Sequence, residues 1–168
     1  VVAIDIADQA GGATDDVENL ELVIYDGFEL PVPESSIDVM ISDQLLEHLH
    51  PDDVGDHLEL TRRVLKSGGV YVIRTPHAFT GPHDISMYFS EVAEGFHLKE
   101  WTFGELAARV HEAGFEEVTA LRVWRGKVFT MPLGWLTAVE PVIGRLSGRA
   151  RRTLAHYVLK EVCIAARA

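Results

Sequence analysis

Val54-Gly55-Asp56-His57-Leu58-Glu59-Leu60-Thr61-Arg62-Arg63-Val64-Leu65-Lys66-Ser67-Gly68-Gly69-Val70-Tyr71-Val72-Ile73 decides the fold. From Pro51 to Lys66, the residues Val54, His57, Leu58, Thr61, Val64 and Leu65 recur on one helical stripe. Asp52 and Asp53 sit where a helix dipole favours negative charge, and Arg62, Arg63 and Lys66 sit where it favours positive charge. Gly68-Gly69 stops the helix and a β-branched run follows at once. A second such run, Ile37 to Ile41, precedes the helix and shows no polar alternation, as expected of a strand covered on both faces. Strand, helix and strand in this order form a crossover, and a crossover implies a parallel sheet.

Working outward, Val1 to Ile4 and Leu20 to Tyr25 repeat the buried-strand character. Between them Asp8 to Asn19, with Gly11-Gly12, is too short and glycine-rich for a full helix and reads as a loop or a single turn. Downstream, Thr102-Phe103-Gly104-Glu105 is a capping-box pattern that predicts a helix, with Gly114 ending it and Phe115 packing back. A strand at Val118 to Val123, a mainly helical stretch from about Pro132 to Lys160 and a last strand at Val162 to Ala166 complete the chain. These elements predict one α/β domain over residues 1–168, with helices on both faces of a mostly parallel sheet and a helical insertion at 130–160 before the last strand.

The 168 residues, 47% of them hydrophobic, suffice for one core. A formal net charge of −11 repels a phosphate backbone, so nucleic acid is not the expected partner. The lone Cys163 lies in an apolar run and reads as a buried structural thiol. No apolar stretch approaches the roughly 20 residues that span a bilayer, and no signal core opens the chain, so a cytoplasmic protein without a membrane partner is expected. Trp124, Phe129, Trp135 and Leu136, followed by Arg145, Arg149, Arg151 and Arg152, suggest a membrane-surface helix or lid less than packing on a sheet edge, because Glu140 and Pro141 interrupt the apolar stripe.

Open α/β sheets bind ligands beyond the carboxyl ends of their strands. Three such ends are polar here. Asp5 can accept hydrogen bonds from both hydroxyls of a ribose; Asp26-Gly27 offers a carboxylate for an exocyclic amine and room for a ring; Ser42-Asp43-Gln44 ends the third strand. The stretch from Asp26-Gly27-Phe28-Glu29-Leu30-Pro31 to Ile37-Asp38-Val39-Met40 resembles the segment of class I S-adenosylmethionine-dependent methyltransferases that runs from their third strand into their fourth. The likeness continues through Leu46-Glu47-His48-Leu49, Val64-Leu65-Lys66-Ser67-Gly68-Gly69 and Val70 to Ile73.

The resemblance implies a Rossmann-like class I methyltransferase topology lacking its first strand and helix, with S-adenosylmethionine as cofactor. By position, Asp5 and Ile6 would flank the ribose, Asp26 the adenine amine with Gly27 and Phe28 beside the base, and Ser42, Asp43 and Gln44 the methionine end. The family's glycine-rich turn would precede Val1, so a chain truncated at its amino end is expected. In the family the strand before that turn lies between those at Val1 and Ile37; without it, those two strands pair or leave a gap.

His48 follows Gln44 on the next turn and could approach the cofactor or the substrate, and the loop from Arg74 to Leu98 lies where the family builds its acceptor pocket, which adds His77, His83 and His97 as candidate substrate residues. One of the loop histidines is a candidate general base on an acceptor hydroxyl. His77, His83, Asp84 and His97 lack a recognised ligand spacing, so no metal is expected. The expected function is methyl transfer to a small molecule, with no specific catalytic residue assigned because the reaction depends mainly on positioning. A non-catalytic methyltransferase-like binding or assembly module is the alternative, and a nicotinamide-dependent enzyme is weaker, since no Tyr-x-x-x-Lys pair is recognisable. A homodimer covering an exposed sheet edge is a further expectation.

Overall fold

The structure is a computed structural model that describes residues 1–5, 17–24 and 30–168. Two short strands, β1 (Val2–Asp5) and β2 (Glu21–Ile24), pair in parallel as one small sheet. The larger sheet contains β3 (Ile37–Asp43), β4 (Leu65–Pro76), β5 (Glu117–Trp124), β6 (Lys127–Met131) and β7 (Glu161–Arg167), in the spatial order β3-β4-β7-β5-β6. β3 and β4 are parallel, and β7 runs antiparallel to both β4 and β5, so β3, β4 and β5 share one direction while β7 and hairpin strand β6 oppose it. The expected parallel crossover is therefore present within a mixed sheet. Among the described residues β1 and β3 do not pair.

The helices are α1 (Val54–Val64), α2 (Phe103–Glu112), α3 (Leu133–Gly144) and α4 (Gly148–Val158). They pack in series, α1 on α2, α2 on α3 and α3 on α4, and cover one face of the sheet. That face carries Tyr71, Ile73, Ala120, Val162, Ile164 and Ala166, all fully buried. The opposite face of β3 is open among the described residues, where Val39 and Ile41 are 55% and 67% exposed. The described helices thus form one layer on the covered face. The unalternating run at 37–41 misled because, among the described residues, β3 is an edge strand with only β4 beside it.

Local chemistry explains the ends of the elements. The predicted capping box forms: Glu105 N–H donates to Thr102 Oγ1 at 3.2 Å, and Thr102 N–H donates to Glu105 Oε2 at 3.1 Å. Gly114 follows α2 in the left-handed region at φ 88°. At Gly69 a Cβ would stand 2.9 Å from the Lys66 carbonyl oxygen and 3.2 Å from that of Ile37, so glycine lets β4 leave α1 and pass close to β3. Strand β6 was not expected. It arises from Arg125 and Gly126, both at positive φ (50° and 73°), which make the two-residue turn that suits the twist of a hairpin. Cys163 is buried, as expected. Among the described residues no helix is long and apolar enough to cross a membrane.

Candidate functional site

The carboxyl end of β3 lies beside that of β4, and the polar residues there fall into two linked groups. Ser42 faces the helices and is buried; Tyr71 Oη donates to Ser42 Oγ at 2.8 Å. His57 Nε2 lies 3.0 Å from the same Tyr71 oxygen. Since the phenol hydrogen is given to Ser42, the imidazole donates, and burial pushes its pKa down to about 4, so the ring is neutral. On the other face Asp43 takes both arms of the Arg74 guanidinium, Nε donating to Oδ1 at 2.7 Å. Those hydrogen bonds, aided by the Arg74 charge and the Gln44 side chain against the opposing effect of burial, hold the Asp43 carboxyl below its usual value. Gln44 closes the strand at φ 57°, a left-handed conformation that costs a non-glycine residue energy and recurs at functional sites.

One turn further on, Glu47 is fully buried. Its Oε2 accepts from Thr75 Oγ1 at 2.9 Å, while Oε1 is buried with no hydrogen-bond partner among the described residues. A buried polar atom left in this state costs on the order of 1–3 kcal/mol, and more when charged. The Glu47 carbonyl accepts from Leu98 N–H at 2.7 Å, which draws the 97–98 segment over this turn. His48 and His97 therefore meet edge to face, ring centroids 5.0 Å apart.

The loop between β4 and α2 is held by two carboxylates. Asp84 accepts from the N–H groups of Ser86 (2.9 Å), Gly95 (2.9 Å) and His97 (3.2 Å). Desolvation opposes ionisation there, but the Ser86 and His97 amides, with the Ser86 hydroxyl and Gly95, outweigh it and bring the pKa to about 2. Glu100 Oε1 lies 2.9 Å from His97 Nδ1 and 3.2 Å from His83 Nδ1. Burial raises the Glu100 pKa and the hydrogen bonds from His83 and His97 lower it further, for a net fall. The outer side of this loop is apolar and open to solvent: Met87, Tyr88, Phe89, Val92 and Phe96 are all exposed.

His77 requires correction as a candidate substrate residue. It is fully buried. Phe79 N–H donates to its Nδ1 at 3.0 Å, so Nε2 carries the proton and donates to Glu140 Oε1 at 2.9 Å, leaving no nitrogen for an acceptor. Glu140 also accepts from the N–H groups of Phe103 and Gly104 at the start of α2. The residue that interrupts the apolar stripe of α3 is thus a buried cap for another helix. His83 sits half-exposed on Glu100, with Nε2 3.2 Å from Thr80 Oγ1.

Of the remaining candidates, Asp5 ends β1 in the small sheet, and Ser42, Asp43 and Gln44 end β3. Ile6, Asp26, Gly27 and Phe28 lie outside the described residues. The structure brings His48 and His97 together and joins His83 to them through Glu100. Reading the sequence missed Glu47, Glu100, Tyr71 and Thr75. The signal for Glu47 was a lone acid within Leu45-Leu46-Glu47-His48-Leu49, where an apolar setting foretells burial.

The fold is shared with S-adenosylmethionine-dependent methyltransferases of known structure, and part of the sequence is similar to proteins of that kind. Residues 1–73 match the model of a family described as "Methyltransferase domain". Over 98 residues the chain is 35% identical to a protein of Mycolicibacterium smegmatis named "Probable S-adenosylmethionine-dependent methyltransferase", covering 58% of this chain and 36% of that protein. It is 31% identical over 118 residues to the tRNA N(3)-cytidine methyltransferase METTL2 of Mus musculus, covering 63% of this chain and 30% of the relative. The chain thus spans about a third of the length of these curated relatives. A SAM-dependent methyltransferase from Archaeoglobus fulgidus shares the fold with TM-score 0.60 at 17% identity, covering 99% of this chain and 75% of that structure. One from Mesorhizobium loti does so with TM-score 0.60 at 17% identity, covering 100% and 80%.

Proposed function

We propose that the chain transfers the methyl group of S-adenosylmethionine to a small-molecule acceptor. The observation that carries this reading is the junction at the carboxyl ends of β3 and β4, where a polar strand end meets a loop presenting Met87, Tyr88, Phe89 and Phe96 to solvent. An apolar rim of this kind suits an acceptor with a hydrophobic body. The net charge of −11 supports a small acceptor over a nucleic acid, although one relative is a tRNA methyltransferase.

The residues present fit the cofactor in part. Asp5 supplies a carboxylate at a strand end, suited to a ribose diol, and the backbone of Ser42 to Gln44 supplies the strand end for the methionine portion. The Asp43 side chain does not fit that role, because Arg74 occupies both its oxygens; it stiffens the strand end instead. The cofactor supplies a sulfonium methyl that leaves readily. The chain's own contribution is then to align the acceptor, exclude water behind the 84–98 loop and take a proton where the acceptor bears one. His48 and His97 are the candidates to take it, since each engages Nδ1 with a neighbouring oxygen and neither is locked in the way His77 is.

Calorimetric titration of S-adenosylmethionine and S-adenosylhomocysteine into this chain, and into a form extended ahead of Val1, tests the reading. Binding that Asp5→Ala weakens at least tenfold is expected in one of the two. Binding by neither overturns the enzyme in favour of a binding or assembly module.

A further inference from the structure

We propose that Glu47, His48 and His97 form a binding site for one divalent transition-metal ion, with zinc the best match to the donors. One ligand atom from each of these residues lies within 4.8 Å of the others. The site rests for its place in the molecule, though not for its chemistry, on the acceptor end proposed above.

Three independent observations converge on it. Glu47 Oε2 is engaged by Thr75, whereas Oε1 is buried and has no hydrogen-bond partner among the described residues, so an acceptor atom stands unsatisfied in the interior. A cation supplies what is missing there. His48 Nδ1 lies 3.0 Å from the Phe96 carbonyl oxygen, which can only accept, so this nitrogen carries the proton and Nε2 keeps its lone pair. His97 Nδ1 lies 2.9 Å from Glu100 Oε1, and the same reasoning leaves its Nε2 basic. An outer carbonyl or carboxylate fixing the tautomer and the ring plane is the usual support of a metal-bound histidine, and both rings have one.

The backbone builds the site as well. The Leu98 N–H bond to the Glu47 carbonyl, 2.7 Å long, clamps the segment carrying His97 onto the one carrying Glu47 and His48. Two imidazoles and one carboxylate suit zinc or a neighbouring transition ion, while magnesium and calcium call for oxygen donors. Metal–ligand bonds of about 2.0–2.2 Å set tetrahedral donors about 3.4 Å apart, so the side chains close inward by roughly 1 Å when the ion binds. Exposure of His48 leaves further coordination positions for water or an acceptor oxygen.

Metal-stripped protein, titrated with Zn²⁺ by calorimetry and with Co²⁺ by its visible ligand-field bands, tests the site without S-adenosylmethionine. One ion per chain is expected, with the intense bands of low-coordinate cobalt. His48→Ala and His97→Ala should each weaken binding at least tenfold, and Glu100→Gln by about 10-fold or more through the supporting shell. His50→Ala, a change at a neighbouring exposed histidine, should leave it unaltered. His48 is exposed, so its removal spares the fold, and unchanged thermal melting verifies this. Absence of a one-to-one isotherm, or binding that survives both histidine changes, overturns the proposal. Zinc binding without cofactor binding would leave this site standing and sink the methyltransferase reading; the converse result would do the opposite.

Discussion

Replacing His57 by glutamine should remove most of an acid-dependent loss of stability that the wild-type chain shows between neutral pH and pH 5. The imidazole is mostly buried beside Tyr71 and its pKa is lowered from 6.5 to about 4 by desolvation. The folded chain therefore resists protonation, while the unfolded chain takes up a proton near 6.5. Above that value both states hold a neutral ring and the stability is complete. It is lost as the pH falls from 6.5 towards 4, where the unfolded state binds more protons. At about 1.4 kcal/mol per unit of pKa the whole effect is roughly 3 kcal/mol, and about 2 kcal/mol of it falls between pH 7 and pH 5. Glutamine keeps a donor for the Tyr71 oxygen and cannot titrate. Urea unfolding of both proteins at the two pH values gives a double difference in which every other titrating group cancels. A gap of about 2 kcal/mol is expected; equal acid sensitivity in both proteins would refute the neutral, buried imidazole.

Further outcomes follow from the same geometry. Glu140→Ala strips His77 and two helix amides of their acceptor and should cost about 3 kcal/mol or more in chemical denaturation, with Glu140→Gln milder because an amide oxygen still accepts. Asp84→Asn should speed hydrogen exchange at Gly95 and His97 and open the 85–97 loop to proteolysis. Because its folded pKa is held at about 2, the wild-type carboxylate supports the loop above the ordinary value near 4, and that support fades as the pH falls through about 2. Thr102→Ala removes the side-chain cap of α2 and should lower stability by about 1 kcal/mol, read as a shifted urea midpoint.

What could be read from the sequence was local or periodic. The α1 stripe and the capping box at Thr102 each depend on residues within a turn or two, and each is present, whereas the stop expected at Gly68-Gly69 falls inside β4, because α1 ends at Val64 and the chain is extended from Leu65. The β6 hairpin was signalled by a single glycine, Gly126, but it also asks Arg125 to adopt positive φ, which an arginine does not announce. The exposed edge of β3 was hidden because an unalternating apolar run looks the same whether a neighbour covers it or not. The site depends on separations of tens of residues: Thr75 lies 28 positions from Glu47, and Glu140 lies 63 from His77. No period or spacing encodes such pairings, so two histidines that looked alike in sequence end in different surroundings, His77 with both nitrogens engaged in the core and His97 on Glu100 beside His48.

The Glu140 carboxylate also limits how this molecule can be recombined. By length and composition, residues 130–160 look like a removable module. Yet joining β6 directly to β7 would strand the start of α2 and leave the His77 proton without an acceptor, so damage would surface in an element far along the chain from the cut. A segment exchanged from a relative would be tolerated only if it returned a carboxylate to the same spot. Exchange of sequence is therefore easier in the 84–98 loop, whose anchors, Asp84 and Glu100, lie in or beside the segment itself.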